Sequence, residues 1–188
     1  SALEYPGDAR RPNFLFVFSD QQHWAAMGCM DSFFRTPALD ALAAEGLLFE
    51  HAYCTTPQCS PSRSSLLTGL YPSATGVMGN VGAAGGAELK METIATALQK
   101  AGWRTGYFGK WHLGDHPAGN AGWDEENRKE KDAAICDLAV DFLDRHKGQS
   151  QPFALFVSFV DPHDIYKFPK HKEYEDNEEI PLPESWEK

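Results

Sequence analysis

In Cys59-Ser60-Pro61-Ser62-Arg63, residue type and spacing imply chemistry most directly. A cysteine, which can be oxidised to a nucleophile precursor, stands two residues before a proline, and an arginine follows one turn later. Ser60 before Pro61 is a helix-start signal, and Gly69 just beyond Leu67 is a stop signal. The pattern predicts a helix over 61–67 with its N-terminus at Cys59 and Ser60. Free amides at that terminus, with a guanidinium one turn in, favour an anion beside Cys59. A cysteine in such a place is ordinarily just a small buried residue; the polar groups below set this one apart.

Asp20 and Gln21 close the apolar run 13–18 and offer oxygen donors suited to a hard cation. Lys110 and His112 follow the segment 104–108, and Pro162-His163 follows the apolar run 153–159. A histidine beside a proline is usually only a loop residue, but its place at a strand end points to function. Other patterns carry less. The glycine-rich stretch 79–86 fits no nucleotide-binding spacing. His112 and His116 stand four apart like zinc ligands, but Gly114 and Pro117 oppose a helix there. The carboxylates of 124–130 are interleaved with basic residues, which reads as a solvated face.

The elements that must position these groups alternate along the chain. Residues 13–18 read as a central parallel strand covered on both faces, 38–44 as a short helix opened by Pro37, and 47–53 as a second strand. Further on, 93–101 reads as a helix, 104–108 as a strand, 132–146 as an amphipathic helix and 153–159 as a buried strand. Such alternation predicts an α/β fold with a mostly parallel central sheet and helices on both faces, where ligands gather at the carboxyl ends of strands.

The 188 residues, 42% hydrophobic and 23% charged, are enough for one sizeable core. No apolar run approaches the roughly 20 residues of a membrane-spanning helix. A net charge of -10 argues against nucleic acid and anionic membranes as partners, and an anionic substrate then needs a local basic pocket. The four cysteines lack a C-x-x-C spacing, which leaves one disulfide allowed in an exported protein. The compartment stays open: periplasmic or secreted if a leader has been removed, cytoplasmic otherwise.

C-x-P-S-R followed by Ser64-Ser65-Leu66-Leu67-Thr68-Gly69 resembles the signature of the type I, formylglycine-dependent sulfatases. Composition alone would produce a C-x-P-x-R match in well under about one chain of this length in a hundred. Gly102 to His112 is similar to that family's G-Y-x-T-x-x-x-G-K-W-H block. Arg11-Pro12-Asn13 through Asp20 looks like its R-P-N-hydrophobic-D-D-Q start, with Gln21 in place of the second aspartate. Pro162-His163-Asp164-Ile165 is similar to its P-H-x-P segment, with Ile165 in place of proline. The resemblance runs from Arg11 to Tyr166.

The resemblance implies an alkaline-phosphatase-like fold, of which residues 1–188 are the N-terminal part of the catalytic domain, with further metal ligands beyond Lys188. It implies that a formylglycine-generating maturation enzyme oxidises Cys59 to an aldehyde, whose hydrate attacks the sulfur of a sulfated carbohydrate or aryl sulfate. Asp20, Gln21 and residue 59 would hold a divalent metal, calcium foremost. Arg63 and Lys110 would neutralise charge, His163 would serve the leaving oxygen, and His112 would take a proton from the second hydroxyl. Two alternatives stand beside this reading: a phosphonate or phosphate ester hydrolase of the same superfamily, and a noncatalytic sulfated-glycan binding protein in which Cys59 stays a thiol.

Overall fold

A computed structural model describes residues 11–83, 86–115, 122–128 and 131–163. Its elements are β1 (Phe14–Asp20), α1 (Pro37–Glu45), α2 (Cys59–Thr68), α3 (Pro72–Thr75), α4 (Ile94–Lys100), β2 (Arg104–Gly109), β3 (Glu125–Asn127), α5 (Asp132–His146) and β4 (Phe153–Pro162). The four strands form one sheet in the order β1-β4-β2-β3, and every neighbouring pair is parallel. No described helix is long and apolar enough to cross a membrane.

Alternation along β4 decides which side each residue serves. Ala154 and Phe156 join Tyr107 of β2, Leu67 of α2 and Ala95 of α4 in one core. Phe153, Leu155 and Val157 join Phe108 and the α5 residues Ile135, Ala139 and Phe142 in a second. The sheet therefore carries helices on both faces, as the alternation of elements predicts. Within α5, Ile135, Ala139 and Phe142 recur at helical spacing and turn one stripe to the sheet. Ile135 is fully buried, so Ile135→Val is expected to lower stability by about 0.5–1.5 kcal/mol, measured by urea unfolding.

Two expectations fail. The run 13–18 does form a strand, but β1 is outermost among the described strands, and Phe14 to Val17 are 40 to 54% exposed. Residues 47–53 form no strand; Leu47, Phe49 and Tyr53 are exposed. Apolar and aromatic content suits a segment for pairing, but pairing needs a neighbouring edge, and none of the described strands pairs with 47–53. All four cysteines are free thiols.

The three-residue β3 has no apolar pattern and is held by charge. Glu125 accepts from Arg104 (3.0 Å), from Arg145 (2.7 Å) and makes a 3.2 Å contact with His146. Hydrogen bonds from Arg145, then from Arg104 and His146 against the opposing cost of burial, hold its carboxyl at about 2 rather than 4.5. A lowered folded-state value means stability that is complete above pH 4.5 and lost as pH falls toward about 2. The urea midpoints of wild type and Glu125→Gln should accordingly differ near neutral pH and converge as pH falls through that window.

Candidate active site at the carboxyl ends of the strands

The order β1-β4-β2 sets three strand ends side by side, and each delivers a polar residue: Asp20 from β1, His163 just after β4, and Lys110 just after β2. The fourth contribution comes from α2. Gln58 precedes it in extended conformation, Cys59 opens it, and Gly69 ends it in the left-handed region at φ 72°. Pro61 sits in the first turn, where a missing amide N–H costs nothing. Cys59 therefore lies at the positive end of a ten-residue helix.

Arg63, one turn along, is buried and reaches back into the site. Its Nη2 donates to Asp20 Oδ2 at 2.8 Å, and its Nη1 donates to Ser158 Oγ at 2.8 Å and to the Lys110 carbonyl at 2.6 Å. Lys110 Nζ makes the second ion pair with Asp20 Oδ2, at 2.9 Å, and lies 4.0 Å from Cys59 Sγ. Burial opposes the charge on Asp20, but hydrogen bonds from Lys110 and Arg63 outweigh it and keep the carboxyl below its ordinary range. Both cations sit on Oδ2, while Oδ1 is turned to Cys59 Sγ at 3.8 Å.

One carboxylate between two cations leaves a net positive pocket in an acidic chain. His163 supplies an imidazole nitrogen to the same place: it, Cys59 Sγ and an Asp20 oxygen lie within 4.8 Å of one another. With a thiol at residue 59, this donor set does not suit calcium, which takes six to eight oxygen ligands. With hydroxyls there, Asp20, Gln21 and residue 59 would form an all-oxygen set. Gln21 follows β1 directly, exposed, at φ 58°.

His112 has φ 56°, and with Gln21 it makes the two positive-φ residues other than glycine among those described. Backbone held in that costly region often marks functional sites. Burial, then the Lys110 ammonium, lower the His112 pKa, opposed in part by the Val81 carbonyl. A neutral imidazole is what a proton acceptor needs, and Nδ1 is buried with no hydrogen-bond partner among the described residues.

Several supporting residues escape the sequence reading. Ser60 Oγ donates to the His112 carbonyl at 2.5 Å and accepts from the Val81 amide at 3.1 Å, while Asn80 Oδ1 accepts from the Ser60 amide at 3.0 Å. This ties the loop after Gly79 to the start of α2. Tyr107, its phenol pKa raised by burial, donates to the Lys110 carbonyl at 2.6 Å. Ser158 has a legible signal, a hydroxyl inside an apolar strand; Asn80, in a glycine-rich loop, has none. Gly109, at φ 110°, is required because a Cβ would stand 1.9 Å from the Ser158 carbonyl oxygen. His116, Asp164, Ile165 and Tyr166 lie outside the described residues.

The structure thus brings together Asp20, Cys59, Arg63, Lys110 and His163, with the backbone carbonyl of His112 tied to the adjoining Ser60 hydroxyl. The family model described as Sulfatase matches residues 12–184. The uncharacterized sulfatase YidJ of Escherichia coli (strain K12) is 31% identical over 202 residues, covering 85% of this chain and 40% of that protein. Arylsulfatase G of Canis lupus familiaris is 42% identical over 110 residues, covering 57% of this chain and 21% of that one. A solved structure in complex with its substrate D-glucosamine-2-N,6-O-disulfate superposes with a TM-score of 0.76 at 26% identity, covering 93% of this chain and 39% of that one. The chain spans less than half the length of these relatives. The order of motifs, the parallel sheet and the matched residues agree, and the chain belongs to the sulfatase family.

Proposed function

We propose that this chain carries the nucleophile and charge-stabilising half of a sulfate ester hydrolase, acting on a sulfated carbohydrate or an aryl sulfate. The observation that carries it is the convergence of Lys110, Arg63 and Asp20 on residue 59 at a helix N-terminus. Cys59 is converted by a maturation enzyme and its oxidant to formylglycine, which takes up water to give two hydroxyls on one carbon. One hydroxyl gives up its proton to solvent and its oxygen attacks sulfur, the sulfur–oxygen bond to the substrate alcohol breaks, and His163 hands that oxygen a proton. His112, neutral at pH 7, then takes the proton of the second hydroxyl. The carbonyl reforms as the carbon–oxygen bond to sulfate breaks, and the aldehyde is restored.

Charge on the sulfuryl oxygens is met by Lys110, by the α2 terminus and by Arg63, groups already in place before the substrate arrives. A hard divalent cation, calcium foremost, would be held by Asp20, Gln21 and residue 59, and it would supply further positive charge to polarise the sulfuryl group.

The test has two parts. Mass spectrometry of the peptide carrying residue 59, on protein from its native host, should find the aldehyde. Matched aryl sulfate and aryl phosphonate esters should then be compared with the matured protein. Faster phosphonate turnover would move the assignment to a phosphonate hydrolase, and an unmodified thiol throughout would leave a binding protein.

A further inference from the structure

We infer that the thiol form of this site is itself a metal site of a different kind, one that takes zinc or another thiophilic divalent transition metal through Asp20 Oδ1, Cys59 Sγ and an imidazole nitrogen of His163. Oxidation of residue 59 then exchanges one class of metal for another. The second half of this statement rests on the sulfatase reading; the first does not.

Geometry carries the argument. A tetrahedral ion with bonds of about 2.1 Å to oxygen and 2.3 Å to sulfur separates those two atoms by about 3.6 Å. Asp20 Oδ1 and Cys59 Sγ are 3.8 Å apart. With Arg63 and Lys110 both on Oδ2, Oδ1 is the oxygen turned to the sulfur. One Asp20 carboxylate oxygen, Cys59 Sγ and a His163 ring nitrogen lie within 4.8 Å of one another, so that nitrogen–oxygen pair must close by at most about 1.4 Å to reach a tetrahedral edge.

Ligand chemistry agrees. One thiolate, one imidazole and one carboxylate are the donors that zinc takes in three-ligand sites, with the fourth position left to water. On binding, the thiol proton passes to solvent, and the thiolate adds a second negative charge beside the Asp20 carboxylate, whose Oδ2 stays with Arg63 and Lys110. Soft sulfur favours such ions over calcium, which prefers oxygen alone. Replacing sulfur by two hydroxyls reverses that preference in the same place.

Cobalt(II) reports the site directly, because a thiolate ligand gives it a charge-transfer band in the near ultraviolet. The full chain carrying the Cys59 thiol is titrated with cobalt, with the exposed Cys29, Cys54 and Cys136 replaced by serine. The expected result is a band that saturates at one equivalent, is displaced by stoichiometric zinc and survives a large excess of calcium. Cys59→Ser should remove the band, and His163→Gln should weaken cobalt binding at least about tenfold. Circular dichroism confirms that each variant keeps the parent fold; Asp20→Asn, which also disturbs Arg63, is secondary to His163→Gln. The inference is overturned if the folded thiol chain shows no band, if the band survives Cys59→Ser, or if His163→Gln binds cobalt as tightly as the parent. A thiol chain that binds cobalt while residue 59 never matures in the native host would keep this site and remove the hydrolase. A matured protein that hydrolyses sulfate esters while its thiol form binds no cobalt would do the reverse.

Discussion

Cys59→Ala is expected to reduce sulfate ester hydrolysis by the matured protein by at least about 10⁴-fold, while its urea midpoint stays close to that of the parent. The separation of the two effects follows from position. Residue 59 opens α2 in a half-buried place, outside both cores, so truncating it leaves little cavity. The Asp20 pairs with Arg63 and Lys110 do not pass through it. Serine at this position restores a hydroxyl but only one, and a single ester oxygen lacks the neighbouring hydroxyl whose deprotonation expels sulfate. Cys59→Ser should therefore be as inactive in turnover as the alanine variant, and steady hydrolysis by either would remove residue 59 from the reaction.

Arg63→Met should be the most damaging change to stability among the site residues, at about 3 kcal/mol in urea unfolding, with hydrolysis lowered about 10²–10³-fold. The guanidinium is buried and bonded to Asp20, Ser158 and the Lys110 carbonyl. Its removal leaves an almost fully buried carboxylate with one cation in place of two. Lys110, 2.9 Å from the same oxygen, keeps the loss at the lower end of what breaking a buried ion pair costs. Arg63→Lys returns the charge but not the planar fork that spans β1 and β4, so it should recover less than half of the lost stability. A loss below about 1 kcal/mol for Arg63→Met would show that Asp20 is solvated in a way the geometry does not contain.

Where local pattern and environment coincide, the sequence was readable. The helix read over 132–146 is α5, Asp132–His146, because its apolar stripe meets a sheet at the expected period. Helix α2 was legible from Ser60, Pro61 and Gly69, and with it the placement of Cys59 and Arg63. Lys110, Asp20 and His163 were legible as polar groups at the ends of apolar runs. Tertiary neighbours decided the rest. An apolar run does not say whether it lies at the centre or edge of a sheet, and β1 is outermost among the described strands. Segment 47–53 is rich in apolar and aromatic residues, yet pairs with none of the described strands. Glu125 of β3 pairs with Arg104, Arg145 and His146, partners 20 or so positions away, and Asn80 acts across a loop with no periodicity.

The register of β1 against β4 has a consequence for how the polypeptide is made. Phe14 pairs with Ala154, so on a ribosome β1 waits 140 residues for its hydrogen-bonding neighbour. At ordinary synthesis rates, the wait is about 7–28 s. Until then its aromatic and aliphatic side chains lack the β4 ladder, and long-range closure of this kind is slow even once the neighbour exists. The α5 helix, whose contacts to β2 and β4 lie closer in sequence, should therefore be native-like before β1 is.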